Sequence, residues 1–513
     1  MYINNKLLIG KNEKYEAVLL PKMSNRHGLV TGASGTGKTT TVKVMAESFS
    51  ELGVPVFVAD VKGDLSGCCK AGEENENILK RVKDLKLEDF DFKAFPVRFW
   101  DLYQKNGHAI KASIYDIGAS ILSMMLGLTE TQESILTLIY RIAHDEEKMI
   151  YNISDLRKLL QYVGEHRNEY TLKYGNITTQ SIGVIERSLL ALEDQGADKF
   201  FGLPSFDIKD LLKTKDEMGY INILHAVELF NSPDLYVSFL LYLLTKLYKD
   251  MPEVGDLDKP KIVFFFDEAH LLFNNMPSYR LKQIVGIVKL IRSKGIGLYF
   301  ISQCPSDIPD EVLSQLSNRI QHALRAYTPS EQKAVKAAAD SFRVNPNLKT
   351  MDEILALGTG EALVSFLNES GEPEIVNKVK ILPPESFMGT IDAMERNKII
   401  NNSEFVGKYE EEIVKDDAAH LVLDKIYTEE KEKQEALEAA KELEKQKKEE
   451  QKALLEKQKL EAQEKREAEK KKREEEKALK SSVGYKLGKK VVNKTVDKAI
   501  NKGLNSIFKS IFK

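Results

Sequence analysis

Short, mainly apolar runs that stop at a glycine or at a polar or charged residue recur through the first 303 positions of the chain. His27 to Thr31 stops at Gly32, Val54 to Ala59 at Asp60, Ile262 to Phe266 at Asp267-Glu268, and Gly297 to Ser302 at Gln303. Unbroken apolar runs of this length are what a parallel strand covered on both faces requires. Between them the apolar positions fall at helical spacing. Val42, Val44, Met45 and Phe49 form one such set, Ile117, Ile121, Leu122, Met125 and Leu126 a second, and Ile135, Leu138, Ile139 and Ile142 a third, after Thr129 with Glu133 nearby. Ser154-Asp155-Leu156 opens a further helix, Gly219 to Leu224 reads as a return strand, and Leu235 to Tyr248 as the helix after it. Phe95, Val97 and Phe99 alternate up to the single Trp100, which is strand spacing and places Trp100 in the core. Tyr2 to Leu20 reads as a hairpin turning at Gly10-Lys11-Asn12. The alternation predicts an α/β protein with a mainly parallel sheet and a helical insertion over about 105–215.

The first strand runs into Gly32-Ala33-Ser34-Gly35-Thr36-Gly37-Lys38-Thr39, followed by Thr40, and matches G-x-x-x-x-G-K-[ST]. The glycines allow successive N–H groups to turn inward around a phosphate chain. Lys38 reaches the outer phosphates, the Thr39 hydroxyl suits Mg²⁺, and the helix that follows points its positive end at the anion. This predicts binding of a nucleoside triphosphate, ATP, with Mg²⁺. Asp267 and Glu268 supply what hydrolysis needs: a carboxylate for the metal and a base for the attacking water. The same pair would also suit a helix N-cap. Gln303, at the tip of its strand, is placed to sense the terminal phosphate or hold the lytic water. Asp60, Lys62 and Asp64 add charge at the carboxyl edge of the sheet, where such sheets bind ligands. His108 reads as a loop residue near the nucleotide.

The phosphate loop, D-V-K-G-D-L at 60–65, F-D-E-A-H at 266–270, I-S-Q at 301–303 and N-R-I-Q-H-A-L-R at 318–325 occur in that order. Together they resemble the HerA–FtsK superfamily of P-loop motor ATPases, and its bacterial HerA-like helicase branch in particular, over roughly residues 1–390. The resemblance implies a RecA-like core, a homo-oligomer such as a hexameric ring, and DNA or protein as cargo. It assigns the family roles to Lys38, Thr39, Asp267, Glu268 and Gln303. It also implies an arginine that completes a neighbour's site, with Arg319 first, Arg292 second and Arg325 third. One departure is visible: the 31 residues before Gly32 are too few for the β-barrel of archaeal HerA.

The formal net charge is −3, but its distribution is uneven. Residues 429–480 hold 17 Lys+Arg and 17 Glu, and residues 481–513 hold 8 Lys and one Asp, leaving 50 basic and 60 acidic side chains in 1–428. An acidic core argues against nonspecific wrapping of nucleic acid over the whole surface and leaves room for a local basic pore. The 429–480 segment is a strong helix-forming set whose leucines (437, 443, 454, 455, 460 and 479) keep no heptad, so a solvated charged stalk competes with a weak coiled coil. The last 33 residues combine lysines with apolar residues at helical spacing, a pattern suited to an anionic membrane surface, a protein partner or DNA. The expected organisation is a hairpin at 1–22, the ATPase core at 23–390, a helical connector at 391–428, the stalk at 429–480 and the basic tail at 481–513. Three cysteines with no C-x-x-C spacing, no long apolar leader and no bilayer-length apolar run point to a soluble, cytoplasmic protein. A regulator or scaffold that gathers partners through stalk and tail is the alternative to a motor.

Overall fold

The computed structural model describes residues 1–3, 6–146, 149–273, 278–411 and 418–481. It divides into two units, one over Met1–Ile426 and one that begins at Tyr427.

Among the described residues, the first unit is built on a sheet of 13 strands. In chain order the strands are β1 (Tyr2–Ile3), β2 (Lys6–Lys11), β3 (Glu16–Leu19), β4 (Gly28–Thr31), β5 (Val56–Asp60), β6 (Val97–Asp101) and β7 (His108–Ala109). A small separate hairpin, β8 (Thr214–Lys215) and β9 (Met218–Gly219), comes next, then β10 (Ile221–His225), β11 (Ile262–Phe266), β12 (Ile296–Ser302), β13 (Asn318–Gln321), β14 (Glu361–Ser365) and β15 (Asn377–Ile381). Across the main sheet the order is β1-β2-β15-β14-β13-β4-β12-β11-β5-β10-β6-β7, with β3 on β2. Every pairing from β13 to β7 is parallel, and the β14, β15, β2 end is antiparallel.

The apolar runs form the parallel strands because both faces are covered. Side chains alternate across a strand, so neighbours enter different cores. Val263 and Phe265 pack with Val42, Met45 and Phe49 of α1 (Lys38–Glu51), while Phe264 and Phe266 pack with Phe57, Leu298 and the helices of the opposite face. That opposite face carries the long helix Pro233–Asp250 and the helices running from Ile114–Ile117 to Thr179–Glu193. Asn152 caps the helix Ile153–Glu165, accepting from the Asp155 N–H at 2.9 Å, which starts it just before Ser154. Trp100 is fully buried and donates its indole N–H to Asn222 at 3.0 Å.

Two local expectations change. Gly10 and Lys11 lie inside β2, and the turn falls on 12–15, where the Asn12 side chain accepts from the Lys14 and Tyr15 N–H groups. His108 is not near the phosphate loop. It is buried in edge strand β7, against Trp100 and Phe405, with Nδ1 3.0 Å from Glu410 Oε1. Six strand spacings, about 29 Å, separate that edge from β4.

The helix Ala418–Ser481 carries the charged segment and starts earlier than its composition predicts. Its 64 residues extend on the order of 96 Å at the standard rise. Lys431–Glu435 and Lys448–Glu444 pair one turn apart along it, and Leu437, Leu443, Leu454, Leu455 and Leu460 are exposed. Among the described residues no helix is long and apolar enough to cross a membrane. Residues 482–513, on which the basic amphipathic reading falls, lie outside the described residues.

Candidate nucleotide site

β4 ends at Thr31, and the next six residues curl into α1, which begins at Lys38. Gly32, Gly35 and Gly37 take φ of +154°, +75° and +112°, angles that a side chain strongly disfavours. The loop is moored at both ends. The Gly32 N–H donates to the Gln303 carbonyl at 3.2 Å, the Ala33 N–H to Ala323 at 2.9 Å, and the Gly360 N–H to the Thr36 carbonyl at 3.0 Å. Thr36 Oγ1 donates to the Ala33 carbonyl at 2.7 Å. Lys38 folds back so that its Nζ donates to the Gly32 and Ala33 carbonyls, at 2.5 and 3.2 Å. Those carbonyls hold the ammonium where the outer phosphates of a nucleotide would meet it.

The floor under the loop is His322, one residue beyond β13, and its role was not legible in the sequence. A Cβ at Gly32 would lie 2.5 Å from the His322 Cβ, so the histidine alone forbids a side chain there. Its Nδ1 meets the Glu361 carbonyl at 2.9 Å and its Nε2 the Thr41 hydroxyl at 2.8 Å. Burial, helped by the Lys38 charge, pushes its pKa down to about 4, so the ring is neutral, with Nδ1–H donating and Nε2 accepting. Gly360 backs Gly37 at close range, and Arg81 donates to the Gly360 and Ile381 carbonyls at 2.9 and 3.1 Å. N-R-I-Q-H-A-L-R marked the stretch that holds His322, but only tertiary packing puts His322 and Gly360 beneath a loop about 300 residues earlier.

Two strands away, β11 delivers Asp267 to the same edge. Its Oδ1 accepts the Glu268 N–H at 2.9 Å, and its backbone carbonyl accepts the Tyr236 hydroxyl at 2.9 Å. Burial first, then the neighbouring Glu268 charge, raises the Asp267 pKa to about 6, against the opposing pull of Lys62 and Lys38. Lys38 is lowered by burial and by Lys62 and raised by Asp267 and Glu268, so these four groups share one electrostatic pocket. Glu268 has φ +47° and ψ +43°, a left-handed conformation for a non-glycine residue of the kind concentrated at working sites. It sits at the N-cap position of the short helix Ala269–Leu272 without making a side-chain cap bond. Glu268 Oε2 is 3.4 Å from His270 Nδ1, and neither atom has a hydrogen-bond partner among the described residues.

The remaining expected residues divide. Gln303 is exposed at the end of β12 and touches the loop through its backbone carbonyl. Asp60 is closed on its own turn, accepting from the Gly63 and Leu65 N–H groups at 2.7 and 3.1 Å, and burial raises its pKa to about 6. Arg319 is fully engaged within its own chain: Nε donates to Leu316, Nη1 to Ser341 and Nη2 to Leu313, at 3.0, 2.8 and 3.1 Å. Arg325 is exposed and donates to the Leu355 carbonyl at 3.1 Å. Arg292 is exposed just past the helix Ser278–Ile291, at the opposite edge of the sheet, with no hydrogen bond or ion pair to a described residue.

Arg319→Ala is therefore expected to act first on stability. It strands three carbonyls that the guanidinium holds, at a cost of about 2–4 kcal/mol. Thermal denaturation monitored by circular dichroism checks this; an unchanged midpoint would mean the arginine is not structural.

The family model described as Helicase HerA-like C-terminal matches residues 5–509. The chain belongs to this family. With that membership the protein is an ATPase, and its core is an α/β P-loop fold. The DNA double-strand break repair helicase HerA of Sulfurisphaera tokodaii is 23% identical over 389 residues, covering 73% of this chain and 68% of that protein. The same-named protein of Sulfolobus acidocaldarius is 22% identical over 434 residues, covering 80% and 74%. A probable helicase of Methanocaldococcus jannaschii, MJ1565, is 26% identical over 351 residues; the match spans 67% of this chain and 60% of that one. Among solved structures, the plasmid coupling protein TrwB with a non-hydrolysable GTP analogue overlaps 73% of this chain and 90% of its own, at 14% identity and a TM-score of 0.48.

Proposed function

We propose that this HerA-like ATPase is a motor that couples ATP hydrolysis to movement along or remodelling of DNA, working as a homo-oligomer. The observation that carries the reading is the meeting, at one edge of the sheet, of the Lys38 loop with the Asp267-Glu268 pair. The glycine angles leave a cradle for phosphates, and the charges of Lys38, Lys62 and the α1 terminus suit a triphosphate. Residues 32–40 would hold the nucleotide, with Thr39 and Asp267 on Mg²⁺, which would neutralise charge on the phosphate oxygens. Glu268 is the candidate base for water, with His270 beside it, and Gln303 the candidate contact to the terminal phosphate.

DNA as cargo rests on the family and on the helicases to which this chain is similar. Steady-state ATPase with and without duplex DNA tests it. A motor's turnover is expected to rise several-fold with duplex, whereas equal rates at all DNA concentrations would remove DNA as the track and favour the scaffold reading.

A further inference from the structure

A second cavity, of about 770 Å³, opens where β6 begins. Five strand spacings, about 24 Å, separate β6 from β4, and the cavity lies towards the amino-terminal end of β6 while the nucleotide residues lie at the carboxyl ends of β4 and β11. It is therefore a different site. Its volume falls within the range of pockets that enclose a small organic ligand.

Its charge is out of keeping with its surroundings. Lys70, Arg98, Lys213, Lys215 and Lys398 line it against only two carboxylates, Glu395 and Glu404, a lining charge of +3. The first 428 residues, which contain it, carry ten more acidic than basic side chains. Pairing accounts for part of the excess, Lys213 also reaching Asp210 at 3.9 Å, and leaves two lysines over beside Glu395. Glu404 is already shared between Arg98 and Lys213, and Lys70 turns to Glu73 at 3.2 Å. Lys215 and Lys398 are exposed and make no hydrogen bond or ion pair to a described residue. Lys215 sits on the β8–β9 hairpin and Lys398 on the helix Ala393–Asn401, so they face the cavity from different elements.

The floor is rigid and partly apolar. The Arg98 guanidinium lies 3.6 Å from the Tyr220 ring centroid and 4.5 Å from that of Phe405, and it donates to the Asp210 carbonyl at 3.1 Å. Arg98 thus builds the wall and is not available to a ligand. Phe95, Val97 and Ile399 complete an apolar side beside the two unpaired lysines.

We propose that this cavity binds a phosphorylated small molecule of nucleotide size, with Lys215 and Lys398 taking the phosphates and Phe95, Val97 and Ile399 taking its ring system. Occupancy would bind the β8–β9 hairpin to the helix Ala393–Asn401, at a site separate from hydrolysis.

Calorimetric titration of the full chain carrying Lys38→Ala, which weakens the phosphate loop, tests the proposal with ADP and with pyrophosphate as probes. ADP is expected to bind, and adding Lys215→Glu and Lys398→Glu is expected to weaken it at least about tenfold, with the melting temperature retained. With Lys38 intact, the two reversals are expected to leave basal ATPase unchanged, which separates this site from the first. No ADP uptake, or ADP affinity indifferent to the reversals, overturns the proposal. So does uptake of pyrophosphate with rejection of ADP, and so does a loss of duplex-DNA affinity with ADP binding untouched, which would make the cavity part of a nucleic-acid surface.

Discussion

Glu268→Gln is expected to bind ATP as the native chain does while turning it over ~100-fold or more slowly. The substitution keeps the shape and the left-handed backbone that place the side chain at the end of β11, and it removes only the charge. The site is organised around that charge. Glu268 helps raise Asp267, offsets the burial of Lys38, and lies 3.4 Å from the His270 ring. Nucleotide affinity should survive because the loop, Lys38 and the α1 terminus are untouched. Lys38→Ala is the complement: it should lose affinity itself, since it removes the charge proposed to meet the phosphates. Single-turnover hydrolysis measured beside equilibrium nucleotide binding separates the two, and native-like turnover in Glu268→Gln would remove Glu268 as the base.

The second large effect concerns the arginine proposed to complete a neighbour's site. The three nitrogens of Arg319 are bound within its own chain, so an inter-subunit role falls better to Arg292. Arg292 is exposed at the edge of the sheet remote from its own site, and the seven residues of β12 span about 23 Å, too far to serve its own nucleotide. In a head-to-tail assembly that edge is free to meet the next subunit's loop. Arg292→Ala is expected to bind ATP with turnover reduced roughly 10³-fold, the scale at which such arginines act in trans. Mixed with inactive Lys38→Ala protein it should regain measurable activity, because hybrid interfaces join an intact loop to an intact arginine. Absence of recovery at every mixing ratio, with a monomer by light scattering, would exclude a shared site.

Much of this site was readable because its parts are local. A phosphate loop is a covalent sequence of backbone angles, so Gly32 to Thr39 announce themselves. Asp267 and Gln303 follow apolar strands whose direction fixes which end carries the ligand. The residues that were missed act across long separations. His322 touches Gly32, Gly360 touches Gly37, and Tyr236 holds the Asp267 backbone, and in each case the residue resembles ordinary core or turn chemistry in its own stretch of chain. His108 failed for the matching reason: a polar residue after a strand looks like a site until the strand order puts it at the far edge.

By itself, then, the sequence determined the buried parallel strands, the phosphate loop with its carboxylate pair, and the charged helix, because each follows from periodicity or backbone demands within a few residues. The tertiary structure alone decided the strand order that brings β4, β11 and β12 to one edge, the neutral His322 beneath the loop, the capture of Arg319 by its own carbonyls, and the gathering of Lys70, Lys215 and Lys398 around one cavity. Those depend on which distant segments are packed together. Packing is a property of the whole chain, and no window of sequence contains it.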